Sequence, residues 1–160
     1  LNSVGIGLTN VIFTYVGISL IDKLGRRSLM YIGSIGYIVS LTLISLSFIL
    51  EWGGVVLPIF LFLFIASHAI GQGAIIWVYI SEIFPNHIRS YGQSFGISTH
   101  WVLAAIIPSL IPFLFGSIGP GIVFGFFAFM MVLQLMFTHF IMPETKGVSL
   151  EDLSKKLIKN

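Results

Sequence analysis

Five predominantly apolar stretches follow one another along this chain, at residues 1–21, 28–50, 55–80, 91–115 and 121–142. Each reaches the length of about 20 residues that a helix rising about 1.5 Å per residue needs to cross a bilayer's hydrocarbon core. Inside hydrocarbon no water pairs with backbone N–H and C=O groups, so stretches of this kind are helical. Composition excludes the soluble alternative: 56% of the 160 residues are hydrophobic and 9% charged, against roughly a quarter charged in soluble domains. Too few Lys, Arg, Asp and Glu are present to coat a water-facing exterior. The expected architecture is an all-α membrane protein of about five transmembrane helices at 1–142, followed by a polar tail at 143–160. The lipid bilayer is its first partner.

The cations fix an orientation. Lys23, Arg26 and Arg27 lie in the first separator, Arg89 in the third, and Lys146, Lys155, Lys156 and Lys159 in the tail, which accounts for all 8 Lys and Arg. The second and fourth separators hold none. Five successive crossings place the first and third separators and the tail on one face, the face where Lys and Arg are retained. Leu1 is therefore expected to be extracytoplasmic and Asn160 cytoplasmic, in a plasma (inner) membrane. The tail carries Leu150, Leu153, Leu157 and Ile158 at helical spacing behind Ser149 and Asp152, the pattern of a short amphipathic helix.

Several chemistries fall away. Cysteine is absent, which removes thiolate ligands and catalytic thiols. The basic residues sit in short clusters between apolar runs rather than along one face, so the pI of about 9.1 does not indicate nucleic acid. His68, His87 and His139 lack metal-ligand spacing, and Gly71-x-Gly73 follows no strand, so it is no nucleotide loop. No metal or cofactor is expected. The chain starts with Leu1 and shows no signal-peptide pattern; it is expected to be the end of a longer polypeptide.

Three patterns lie at the cytoplasmic helix ends: Asp22-Lys23-Leu24-Gly25-Arg26-Arg27, Ser81-Glu82-Ile83-Phe84-Pro85-Asn86-His87-Ile88-Arg89, and Pro143-Glu144-Thr145-Lys146-Gly147. In this order they resemble the sugar porter family of the major facilitator superfamily over essentially the whole chain. The resemblance implies that the five helices are the eighth to twelfth spans, the larger part of a C-terminal six-helix half whose partner is a missing N-terminal half. It further implies a cytoplasmic gate of Asp22, Gly25, Arg26, Arg27, Glu82, Arg89 and Glu144 that bridges helix ends in the outward-open state. Gly25 permits a tight reversal, and the planar guanidinium groups suit bidentate pairing, with Glu82 and Glu144 as the candidate carboxylates. The plainer alternative is that these charges only set topology, and for Lys23 and the tail lysines that reading is the favoured one.

Substrate contacts in such a carrier are expected near the midplane. Trp77 offers an apolar face to the C–H side of a sugar ring and an N–H to a hydroxyl. Gly73, paired with Gly71, marks a place where the helix can bend or a ligand approach; the family's Gly-Pro-x-x-Trp pattern has Ala74 in place of proline here. His100-Trp101 corresponds to the family's amide-Trp pair, and Asn10 to a polar ligand position in its eighth span. Packing against neighbouring helices is the alternative for Asn10 and His100. Some members place a carboxylate at the position of Ala69, and that contact is lacking. The function expected from this resemblance is secondary transport of a monosaccharide or related polyol by alternating access. The alternatives are a major-facilitator carrier of another small solute and a membrane-embedded enzyme; no nucleophile or metal constellation supports the enzyme.

Overall fold

The computed structural model describes residues 2 to 148. All described regular structure is helical: α1 Asn2–Leu24, α2 Arg26–Ile49, α3 Val56–Ile70, α4 Gln72–Glu82, α5 Arg89–Ile118 and α6 Pro120–Phe140. Helices α3 and α4 continue one another, so the described residues hold five segments long and apolar enough to cross a membrane. The amphipathic tail helix anticipated from Ser149 onward lies outside the described residues.

Helical structure runs further into the polar separators than the hydropathy pattern indicates. Asp22 and Lys23 belong to the last turn of α1, and Arg26 and Arg27 open α2, so the first separator shrinks to Gly25. Likewise α5 and α6 are divided by Gly119 alone, whose φ is +84°. Pro108 and Pro112 lie inside an uninterrupted α5. The third apolar run is interrupted, as its glycine pair allows, but the interruption falls at Gly71 (φ −94°, ψ −104°) rather than at Gly73, and without a proline.

The break is shaped by a neighbour. Gly71 meets Gly33 of α2 so closely that a Cβ built on Gly71 would lie 2.7 Å from Gly33 Cα. Beside this contact the Gln72 amide donates to Ser34 Oγ (3.1 Å), and Gln134 of α6 donates to the same oxygen (3.3 Å). Ser34 is fully buried, and a buried hydroxyl that joins three helices holds their register as well as their distance. A methyl at position 33 would overlap Gln72 Oε1 and sit 2.8 Å from Gly71 Cα. Gly33→Ala is thus predicted to destabilise the bundle by roughly 1–2 kcal/mol. Thermal unfolding in detergent checks this, with Gly7→Ala as the control because nothing lies within 4 Å of a Cβ there.

Helix α2 is the centre of the bundle, flanked by α6 and α3, and α1 packs on α3. One apolar cluster near the Gly25 turn joins Ile21, Leu29, Met30, Ile75, Tyr79 and Met142. A second joins Tyr37, Leu41 and Ala128, with Phe64, Phe124, Phe127 and Met131 packed around them. By contrast α5 has no buried residue along its 30 residues, although Phe95, Trp101, Val102 and Phe113 are all more than half exposed. A helix of this composition cannot face water along its whole length. Its uncovered sides require lipid or a second bundle.

Candidate functional site

At the charged end of the bundle, the one-residue turn at Gly25 brings the end of α1 and the start of α2 together. Gly25 has φ +90°, a conformation that costs an L-residue roughly 1–2 kcal/mol. It also has no room for a side chain: a Cβ would lie 2.5 Å from Glu144 Oε2. The Glu144 carboxylate accepts the backbone N–H groups of Arg26 (2.9 Å) and Arg27 (3.0 Å), and that of Lys146 (3.0 Å). It thereby satisfies two of the open donors at the first turn of α2, where the helix dipole favours an anion.

Arg26 is the hub. Its guanidinium forms a bidentate pair with Glu82 at the end of α4, Nη2 to Oε1 at 2.8 Å and Nε to Oε2 at 3.1 Å. Nη1 reaches Asp22 at 2.9 Å and the carbonyl of Ile21 at 3.3 Å. The Arg26 and Glu82 side chains are 12% and 22% exposed, whereas Asp22 is 84% exposed. The Glu82 contact is therefore the strong one, and the Asp22 contact is screened by solvent. Thr145 donates its hydroxyl to Glu82 Oε2 at 2.5 Å. The segment after α6 is consequently bound to three helices, through Glu144 to α2, through Thr145 to α4, and through Lys146 Nζ, which donates to the Lys23 carbonyl of α1 at 2.7 Å.

Two expectations about how the charges pair need correction. Glu144 pairs with backbone N–H groups rather than with a guanidinium. The Arg27 guanidinium turns to carbonyls at the end of α6, with Nε to Thr138 at 3.0 Å and Nη2 to His139. Arg89 donates to the Phe84 carbonyl at 3.3 Å, and its buried Nη2 has no partner among the described residues. Thr145 was not singled out by the sequence; a hydroxyl whose partner lies 63 residues away leaves no local signal. Gly25→Ala combines left-handed strain with displacement of Glu144. It is predicted to speed tryptic cleavage at Lys146 about tenfold, the effect of 1.4 kcal/mol on a rapid opening equilibrium.

Between α4 and α5, the aromatic candidates meet. Trp77 of α4 and His100 of α5 are edge-to-face, with ring centroids 4.9 Å apart and planes at 78°; Trp77 and Trp101 are stacked at 6.5 Å. His100 and Trp101 are exposed, so this surface of indole and imidazole is open for contact. Gly73 lies one turn before Trp77. In place of a side chain it has His68 beside it: a Cβ there would be 3.0 Å from His68 Nε2. The other nitrogen of His68, Nδ1, is hydrogen-bonded to the hydroxyl of Tyr37 on α2. Asn10 is exposed on α1.

His68 and Tyr37 are the members of this group that the sequence reading passed over, since His68 was weighed only as a metal ligand. The available signal was its ionisable side chain inside an apolar span, an arrangement that points to function by itself. Together these residues offer flat apolar faces, an indole N–H and imidazole nitrogens that both donate and accept. A neutral polyhydroxylated ring is the kind of molecule such a surface fits.

Comparison with known proteins identifies the family. The family model described as "Sugar (and other) transporter" matches residues 1–157. The arabinose-proton symporter of Bacillus subtilis is 38% identical over 157 residues, covering 96% of this chain and 33% of that protein. Myo-inositol transporter 1 of Saccharomyces cerevisiae is 32% identical over 91% of this chain and 28% of its own length. The inward-open structure of the xylose transporter XylE from E. coli superposes with a TM-score of 0.90 at 29% identity, covering 98% of this chain and 35% of that one. The chain thus spans about a third of the length of the curated relatives it matches. With its five apolar spans and its fold shared with a major facilitator carrier, the chain belongs to the sugar transporter family.

Proposed function

We propose that these helices are the C-terminal part of a secondary carrier that moves a monosaccharide or related polyol across the membrane by alternating access. The observation that carries this reading is the open Trp77–His100–Trp101 surface on the edge of a bundle whose α5 is nowhere buried. A second bundle facing that edge would close a central cavity around it, and rocking of one bundle on the other would expose the cavity to each side in turn. Trp77, Trp101 and His100 contact the sugar, Gly73 gives it room, and Asn10 contributes from α1. The relatives named for arabinose, xylose and myo-inositol support the substrate class.

The Arg26 cluster serves as this bundle's share of the cytoplasmic seal. It ties the cytoplasmic ends of α1, α2 and α4 and the segment after α6 into one unit, with Arg89 at the start of α5. The cation-bearing ends face the cytoplasm, and the Leu1 end faces the opposite side of the plasma membrane. Charged residues of the described spans lie at their ends, which disfavours a strongly ionic substrate. Uptake into proteoliposomes containing the full-length carrier tests the proposal. Labelled xylose, arabinose or myo-inositol is expected to enter saturably while organic acids do not; the opposite selectivity would refute it.

A further inference from the structure

At the end of α2 away from the Gly25 turn, residues 50–55 lead the chain into α3. An open cavity of about 300 Å³ lies there, lined by Ser47 and Phe48 of α2, Leu57 of α3 and the turn from Glu51 to Gly54. Within this turn Glu51 has φ +53°, and the Trp52 N–H reaches back to the Ser47 carbonyl at 3.0 Å. Glu51 thus occupies the left-handed position of a helix-ending motif that glycine usually fills. A side chain kept there against backbone strain points to a use for that side chain.

Glu51 is also the only Asp, Glu, Lys or Arg between Arg27 and Glu82, and residues 1–21 and 90–143 hold none. No Lys or Arg at this end of the described bundle can therefore pair with its carboxylate. Trp52 is 41% exposed, whereas Phe48 is stacked on Phe124 of α6 at 5.8 Å with the planes 2° apart. The indole is left open beside a fixed phenyl wall. A tryptophan alone at a membrane interface needs no ligand, but lipid tails leave a neighbouring carboxylate unsatisfied. A metal ion does not fit: one carboxylate falls short of the oxygen set that a hard cation takes, and no group of three His, Cys, Asp or Glu among the described residues could hold one. A neutral polyhydroxylated ring uses both groups, since adjacent hydroxyls donate to the two carboxylate oxygens while the C–H face lies on the indole.

We propose that Glu51 and Trp52 form an outer docking site for a monosaccharide or polyol, separate from the surface around Trp77. Val56 opens α3 and Trp77 lies in α4, so roughly 30 Å of helix separates the two places. In the proposed orientation this end of the bundle faces outward, and the site meets the sugar before the central path does. Few contacts in an open cleft give weak binding, roughly millimolar, which lets the sugar move on. The choice of ligand rests on the sugar-carrier reading; the unpaired carboxylate and the open indole do not.

Thiol protection in the full-length carrier tests the site. Gly53→Cys puts a reporter in the cavity wall, where a Cβ meets nothing within 4 Å, and the unsubstituted carrier serves as the labelling background. Xylose, arabinose or myo-inositol is expected to slow the reaction of this cysteine with an impermeant thiol reagent, saturably. Adding Glu51→Gln is expected to raise the half-protecting concentration by about tenfold, through loss of the acceptor's charge. Glu51→Gly keeps the turn, because glycine adopts this φ without strain, and is expected to abolish protection. Protection that survives Glu51→Gly unchanged overturns the site, since it then reports a movement driven from elsewhere. Protection by choline but by none of the three sugars overturns it in favour of a cation site. Sugars that enter proteoliposomes saturably without protecting Gly53→Cys remove the outer site and leave the carrier reading standing. Sugars that protect without entering leave the outer site standing and refute the carrier reading.

Discussion

Glu82→Gln in the full-length carrier is expected to shift its resting population towards the inward-facing state by on the order of 100-fold. Glu82 is the carboxylate that neutralises Arg26, a guanidinium with 12% of its side chain exposed. Removal of its charge leaves Arg26 with only the solvent-screened Asp22 as an ionic partner. It also weakens the acceptor of the Thr145 hydroxyl. Breaking a buried pair from one side costs about 3–5 kcal/mol, and the partial exposure here reduces this to about 2–3. If the outward-facing state depends on a rigid cytoplasmic end, that energy is lost from this state alone and appears as a population shift. An impermeant thiol reagent applied from the cytoplasmic side, directed at a cysteine placed inside the seal, reads the shift. Unchanged labelling would remove the cluster from the gate and leave it a topological and packing role.

Trp77→Ala is expected to weaken sugar binding by about 30-fold while leaving the bundle folded. The indole contributes a stacking face and one N–H, together about 2 kcal/mol for a neutral ring-shaped ligand. It lies against His100 and Trp101 on an exposed surface rather than in either apolar core cluster, so its truncation opens no core cavity. Trp77→Phe keeps a face but loses the N–H, and an intermediate loss is expected. Equilibrium binding of labelled xylose to solubilised carrier measures both. Unaltered affinity in Trp77→Ala would place the sugar elsewhere.

How far the sequence foretold this arrangement differs between backbone and side chains. The spans were legible because burial in lipid demands long apolar helices whatever their tertiary partners are. Helix ends were less so: Arg26 and Arg27 are charged yet helical, because the Glu144 carboxylate caps the first turn of α2 from 118 residues away. The place of the break in the third run was set by the Gly33–Gly71 contact, a relation between two spans that a single-run pattern does not contain. Arg26 and Glu82 were recognisable as a fork and a carboxylate that suit each other. The actual partners of Arg27 and Arg89 are backbone carbonyls, which every residue possesses and no sequence position marks. His68 was visible as an ionisable residue in a span, but its contacts with Tyr37 and Gly73 emerge only in the folded bundle.

Whether the exposed edge of this bundle lines a two-sided sugar path can be measured at a single position. Ala104 lies one turn beyond His100 on α5 and is exposed, and these 160 residues contain no cysteine, so the unsubstituted full-length carrier serves as the labelling background. In the full-length carrier Ala104→Cys is predicted to react with an impermeant thiol reagent added from either side of the membrane, and to be protected by xylose, arabinose or myo-inositol. Reaction with lipid-soluble reagents alone, without protection by any of the three, would mean that this edge faces the bilayer and that the path lies elsewhere.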